Sequence, residues 1–252
     1  MTAPNPSAES PRADYGPRAR VGIATPQANP TVEPEMRALL PADLGVYATR
    51  LTHGSPRLEE RLDHYIRHIP EAIRSFGSMR LAAFGFGCTG TSYLAGAALE
   101  DELTDAAATE CALPVITATQ AIRMALTSLG ARRIALVSPY PADLAEAGYR
   151  YWESAGILIS AKWRIDTELL DTHRIYEMTS DDALAGLRSV DRTGADCIVV
   201  SGTGMPTLRA LRRFQHECPL PVLSSNLSLA WALTRAAVPE RAPSRPSDLL
   251  GS

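Results

Sequence analysis

Excess charge, cysteine and long apolar runs are all in short supply in this chain of 252 residues. Its 25 Lys and Arg against 28 Asp and Glu give a formal net charge of −3. No Lys/Arg-rich run stands out, so nothing is available to neutralise a phosphate backbone and nucleic acid is a poor partner. The longest apolar runs, such as "IALVS" and "CIVVS", are strand-sized, far below the ~20 residues that cross a bilayer. Four cysteines, Cys88, Cys111, Cys197 and Cys218, are too few for a disulfide framework in a chain of this length, and no C-x-x-C pair suggests zinc. All four are expected to be reduced. The opening "MTAPNPSAESPRADYGPRAR" has no apolar core of ~7–15 residues, which predicts a disordered leader in place of a signal peptide and hence a cytoplasmic protein. Neither a G-x-S-x-G elbow nor a Walker loop occurs.

What is present is a regular alternation of short apolar runs with amphipathic stretches, the pattern of strand–helix units around a parallel sheet. Strands are predicted near 20–25, 45–52, 79–87, 113–116, 132–138, 157–165, 195–201 and 221–224. A helix is predicted over 56–76, with Ser55 as cap, Pro56 in the first turn, an apolar stripe of Leu58, Leu62, Ile66, Ile69 and Ile73, and a bend at Pro70.

The chain also repeats itself. "RVGIATP" (20–26) matches "RIALVSP" (133–139), "FGFGCTG" (84–90) matches "IVVSGTG" (198–204), and "ECALPVI" (110–116) matches "ECPLPVL" (217–223), at offsets of 113, 114 and 107 residues. Three paired segments at nearly one offset predict an α/β fold of two similar lobes, with parallel sheets related by a pseudo-twofold axis. The expected organisation is a leader over 1–18, lobes over 19–129 and 130–225, a C-terminal helix over 226–238 packing back on them, and a disordered tail over 239–252. Ligands of open parallel sheets bind beyond the carboxyl ends of the strands. The "GCTG" and "SGTG" loops would then point into one cleft between the lobes.

Gly85, Gly87 and Gly90 fit G-x-G-x-x-G, but the dinucleotide fingerprint belongs on the first strand of its unit, and here it follows the third. The alternative centres on Cys88. A thiol at a strand end, followed by Thr89, Gly90, Thr91 and Ser92, is poised for activation by helix N-terminal N–H groups, which lower a thiol below ~8.5. Against this stands the ordinary fate of a free cysteine, a small buried apolar residue. Cys111 and Cys218, each placed before "LPV" in a last helical turn, read as core, as does Cys197 within its strand. His64 and His68 lie four apart on one helix, yet no third metal ligand is apparent and a place in solvent beside the apolar face explains them. The carboxylates of "DELTD" and "TSDDAL" suit helix starts.

Taken in order, "TPQANPTVEPEM" after the first strand, "GCTGTS" and "SGTGM" resemble the aspartate/glutamate racemase superfamily, from about Arg20 to Arg235. The branch they resemble holds maleate cis-trans isomerase, arylmalonate decarboxylase and ectoine-utilisation racemase-like proteins. The resemblance implies an enzyme without metal or organic cofactor, acting beside the carboxylate of a small molecule, with no membrane or nucleic-acid partner, and assembled as a dimer or tetramer. Racemases of this superfamily place one cysteine on each face of the substrate. Cys88 matches the first; the second falls on Gly202. Two-base racemisation needs two proton carriers, so the glycine disfavours it.

One thiol suffices for cis–trans isomerisation by addition, rotation and elimination, with maleate to fumarate as the leading expectation. It also suffices for decarboxylation of a malonate, although the decarboxylase keeps its single cysteine in the other lobe. A ligand-binding protein that lost turnover is a third possibility. By the same resemblance Tyr140 stabilises enediolate charge. Pro26 and Asn29 shape the first loop and bind a carboxylate, and Thr89, Gly90, Gly202, Thr203 and Gly204 line the paired loops. Thr172 or His173 stands where the isomerase is expected to carry asparagine. Ser225 and Asn226 are pocket candidates by position at the last strand end.

Overall fold

A computed structural model describes residues 14–166, 168 and 172–251. The first lobe contains β1 (Ala19–Pro26), α1 (Val32–Leu39), β2 (Leu44–Leu51), α2 (Leu58–Arg67), α3 (Ile69–Arg74), β3 (Ala83–Phe86), α4 (Thr89–Ala95), α5 (Ala97–Cys111), β4 (Val115–Thr117) and α6 (Ala118–Leu129). The second contains β5 (Arg133–Ser138), α7 (Ala142–Ser154), β6 (Leu158–Arg164), α8 (Ser180–Ser189), β7 (Cys197–Val200), α9 (Leu208–Phe214), β8 (Val222–Ser224) and α10 (Ser225–Ala237). Each lobe holds one four-stranded, all-parallel sheet. Their orders, β2-β1-β3-β4 and β6-β5-β7-β8, are the same pattern displaced by one lobe. The strands fall where the apolar runs are, because a strand covered on both faces needs a continuous apolar sequence. Both β3 (AFGF) and β7 (CIVV) are buried throughout.

The lobes meet through an aromatic cluster. Tyr93 of α4 packs edge-on against Trp152 of α7, with Tyr140 and Tyr151 beside it. Its hydroxyl pairs with Ser201 Oγ at 2.7 Å and accepts from Trp152 Nε1 at 2.8 Å. Tyr151 donates across the lobes to the buried Glu100 at 2.5 Å. The helix α10 packs on α6, α1 and β3, so it too spans both lobes. Its Leu233 approaches β3 so closely that a Cβ on Gly85 would sit 2.8 Å from Leu233 Cδ1. The first glycine of "GFGCTG" therefore serves helix packing, and the strand it lies on is the third in its lobe, as counted from the sequence.

Four expectations need correction. The 56–76 helix is two helices, broken at His68 (φ −110°, ψ 30°), with Pro70 in the first turn of α3. Arg57, and not Ser55, occupies the N-cap of α2; Ser55 Oγ instead accepts from the Arg57 N–H and donates to Glu60. Cys218 lies in the turn beyond α9, not in its last turn, whereas Cys111 does end α5. The segment read as a disordered tail is folded: Pro239–Arg241 and Pro246–Leu250 form 3-10 turns. Trp231 Nε1 donates to Pro243 O at 2.9 Å, Arg212 Nε donates to Leu250 O at 2.9 Å, and Leu250 is buried. A composition rich in Pro and Ser conceals these contacts because they are made to residues of α9 and α10. Of the leader, residues 1–13 lie outside the described residues; Arg18 is described and pairs with Glu240. Among the described residues no helix is long and apolar enough to cross a membrane.

Candidate active site

The strand-end loops of the two lobes touch. Thr203 Oγ1 donates to Gly87 O at 2.9 Å and receives the Asn29 side-chain N–H at 3.3 Å, while Thr31 Oγ1 donates to Gly204 O at 2.6 Å. Between these loops opens a cavity of about 630 Å³, part of it solvent space. Pro26, Asn29, Cys88 and Gly90 line it from the first lobe, and Tyr140, Thr172, His173, Thr203 and Gly204 from the second. The repeat thus brings together most of the residues singled out in the sequence.

Four of those residues, Thr89, Ser225, Asn226 and Gly202, stand elsewhere. Thr89 is fully buried and donates to Ser225 Oγ at 3.0 Å, supporting the cavity floor from behind. Asn226 is also behind it, donating to Glu35 Oε2 at 2.8 Å and to Thr203 O at 3.1 Å. Gly202 lies beneath Pro139 and Tyr140. It has φ +93°, in the left-handed region that favours glycine. A Cβ there would lie 2.8 Å from Pro139 Cγ and 3.6 Å from Tyr140 Cζ. A side chain at Gly202 is opposed by the backbone and by the Pro139 ring, whereas the distance to Tyr140 is an ordinary van der Waals contact.

Cys88 caps α4 with extended backbone (φ −144°, ψ 95°) and is 5% exposed. The expected lowering of its pKa by helix N–H groups is present but loses. Burial pushes the thiol up to about 11, against the opposing pull of Thr91 and the Gly90 N–H. No cation is among the groups acting on it, and neutral dipoles in a short helix do not offset removal from water. In the ligand-free cavity Cys88 is accordingly a thiol. Its alkylation by iodoacetamide, followed by peptide mass spectrometry, should rise about tenfold per pH unit from neutrality and level only near pH 11. A plateau beginning near pH 8 would contradict this.

Tyr140 is equally enclosed: burial and the nearby Cys88 push its phenol well above 10, with the Thr89 hydroxyl pulling the other way. It is a neutral hydrogen-bond donor across the accessible pH range. Sequence reasoning missed the rest of the lining, namely Arg61, Tyr65 and Tyr176, and an apolar wall of Leu58, Leu62, Leu144 and Ile175. The α2 residues belong to the stripe assigned to the core, and only their proximity to Gly90 distinguishes them: a Cβ there would meet Leu144 at 3.3 Å and Leu62 at 3.5 Å. His64 and His68 stack at 3.8 Å with His53 alongside at 4.4 Å. Among the described residues no three His, Cys, Asp or Glu side chains are placed to hold a metal.

Two repeated α/β lobes presenting paired loops and a single thiol in one cleft define the class, the racemase-like α/β proteins whose site lies between pseudo-symmetric halves. Within it, the chain belongs to the arylmalonate decarboxylase family, whose family model matches residues 21–250. It is 28% identical over 229 residues to a maleate isomerase of Nocardia farcinica, covering 86% of this chain and 89% of that one. It is 29% identical over 230 residues to an arylmalonate decarboxylase of Bordetella bronchiseptica, covering 86% and 90%. Among solved structures it is similar to a Nocardia farcinica maleate cis-trans isomerase, a cysteine-to-serine mutant with a covalently bound succinylcysteine intermediate. That match has a TM-score of 0.78 and 26% identity and covers 86% of this chain and 92% of that one.

Proposed function

We propose that the protein is a cofactor-independent, cysteine-dependent isomerase of a small cis-enedioate, of the maleate-to-fumarate type. The observation that carries this reading is a single thiol, Cys88, in the cavity between the lobes, lined from the second lobe by Tyr140, Thr203 and Gly204 with no cysteine among them. Similarity to maleate isomerases, one of them captured as a succinylcysteine adduct, supports it.

The steps balance without a second acid. The Cys88 thiolate adds to C2, forming the S–C2 bond and moving the π pair through C3 into the adjacent carboxylate as an enediolate. Rotation about C2–C3, now a single bond, exchanges cis for trans. The pair then returns to C2=C3 and expels the thiolate. Because the sulfur of the ligand-free cavity is a thiol, its proton passes to solvent as the substrate enters and returns when fumarate leaves, so a turnover consumes no net proton. Tyr140 donates to the developing enediolate, a charge that a neutral buried donor stabilises without reorganisation. Asn29, through its second side-chain N–H, and Thr203, through its main-chain N–H while its hydroxyl stays on Gly87 O, clamp the two carboxylates, Pro26, Gly90 and Gly204 shape their seats, and Gly202 leaves room for the Tyr140 ring. Thr89 and Asn226 act through the loops they support. A homo-oligomer, dimer or tetramer, is part of this proposal.

One observation favours a second reading. The apolar wall of Leu58, Leu62, Leu144 and Ile175 would seat an aryl group, as decarboxylation of an arylmalonate requires, with Cys88 protonating the resulting enediolate. Incubation in D2O with maleate and with phenylmalonate, followed by proton NMR, separates the two. Isomerisation gives fumarate with both vinylic protons retained, because no group protonates carbon. Decarboxylation gives phenylacetate carrying one deuterium. Neither product, with a ligand-induced rise in melting temperature, would leave a binding protein and overturn both enzyme readings.

A further inference from the structure

Glu35 is a buried carboxylate that no step above uses. It stands on α1 of the first lobe and is 6% exposed. Among the described residues, every hydrogen bond to its side chain comes from the second lobe. Oε1 accepts the Thr207 N–H at 2.5 Å and the Leu208 N–H at 3.0 Å; Oε2 accepts the Thr207 hydroxyl at 3.1 Å and the Asn226 side-chain N–H at 2.8 Å. Among the described residues it has no ion pair with Lys or Arg. A buried carboxylate compensated only by neutral donors contributes little to stability compared with an apolar side chain of its volume. What it does provide is geometry.

The donors come from the end of one functional loop and from the first turn of α10. Thr207 and Leu208 close the "SGTGMPTL" loop, and Asn226 passes the contact to its middle by also donating to Thr203 O at 3.1 Å. Thr203 in turn donates to Gly87 O, the carbonyl directly before Cys88. A continuous hydrogen-bonded path therefore runs from Glu35 through Asn226 and Thr203 to the nucleophile loop. We propose that Glu35 is a positioning residue, the clasp by which the first lobe holds the Thr203 loop of the second at its working distance from Cys88. This rests on the placement of Thr203 as a carboxylate clamp.

The chemistry of the pair suggests the variant. A carboxylate is acceptor-only, so it forces the Asn226 amide to present its NH2 group, and that same group reaches Thr203 O. In Glu35→Gln one oxygen becomes NH2. Asn226, whose Oδ1 has no hydrogen-bond partner among the described residues, can then turn that oxygen toward the new donor. Turning withdraws its N–H from Thr203 O while leaving the backbone N–H bonds of Thr207 and Leu208 with an acceptor.

The test is a double-mutant cycle of Glu35→Gln with Thr203→Ala, read by calorimetric binding of succinate, a saturated dicarboxylate that needs no turnover, and by kcat/KM for maleate. Glu35→Gln is expected to melt cooperatively and to keep the parent's Cys88 alkylation rate within about twofold, since the sulfur and its donors belong to the first lobe. Succinate affinity and kcat/KM should each fall about 10–100-fold, the effect of losing a hydrogen bond to a charged group. Thr203→Ala should do the same, and the double variant should be no worse than Thr203→Ala alone. Additive losses, or a Glu35→Gln affinity within twofold of the parent, would overturn the clasp. Absence of fumarate from the parent protein refutes the isomerase reading separately, because the succinate cycle still decides whether Glu35 acts through Thr203.

Discussion

Replacing Cys88 by alanine is expected to reduce fumarate formation by at least about 10⁴-fold, the scale on which loss of a covalent nucleophile is felt. The physical reason is that every electron movement of the proposed cycle begins or ends on this sulfur. Tyr140 and the loop donors stabilise an enediolate that does not form unless the sulfur adds. Ground-state binding should survive, because carboxylate contacts are assigned to Asn29 and Thr203, and succinate should bind Cys88→Ala within a few-fold of the parent. Cys88→Ser should be as inactive, since an alcohol in this enclosed place ionises still less readily than a thiol already pushed to about 11. A Cys88→Ala protein retaining more than about a hundredth of parental activity would remove the thiol from the mechanism. Unchanged activity together with lost succinate binding would point to the sulfur as a wall of the pocket only.

The second large effect concerns the missing partner thiol. Gly202→Cys restores the two-cysteine pattern on paper, yet it should yield a destabilised protein and no racemase. A side chain at φ +93° costs about 1–3 kcal/mol, and forcing a Cβ to 2.8 Å from Pro139 Cγ adds an overpacking cost of about 1–3 kcal/mol. For a chain of this length that amounts to a melting temperature lower by on the order of 10 °C. Gly202→Ala, with the same backbone and the same Cβ, should lose nearly as much, showing that strain and not thiol chemistry is responsible. Because that Cβ would displace Pro139, the residue directly before Tyr140, isomerase activity should fall with stability in both variants. Full stability of Gly202→Cys would mean that the loop relaxes and that the glycine is a chemical choice alone.

The lobes, their strands and their repeat were legible in the residues for a simple reason. A parallel sheet covered on both faces demands continuous apolar runs such as "CIVV", and duplicated loops leave the same short strings at one offset. Pairing of "GCTG" with "SGTG" likewise followed from the repeat, and the structure brings Gly87 and Thr203 into hydrogen-bonding contact. Composition misled at the C-terminus, where proline and serine between 239 and 252 suggested disorder while Leu250 packs beneath α9. Periodicity misled at α2, because an apolar stripe has the same spacing whether it faces a core or a cavity, and Leu62 does both.

Direction and burial were beyond the sequence. Thr89 and Asn226 lie next to site residues in the chain but turn away from the cavity, toward Ser225 and Glu35, partners 136 and 191 residues distant. The sign of the Cys88 shift depended on how completely the second lobe removes the sulfur from water, which helix position alone does not convey. By itself, then, the sequence determined a duplicated α/β chain with one loop thiol and a glycine at the matching position of the repeat. Only the tertiary structure decided which hydroxyls and amides line the cavity between the lobes, that Glu35 of the first lobe bonds Thr207, Leu208 and Asn226 of the second, and that Pro139 crowds the position of Gly202. The reason is that these depend on contacts between residues far apart in the chain, up to 191 positions for Asn226 and Glu35, and such contacts leave no periodicity or local spacing to read.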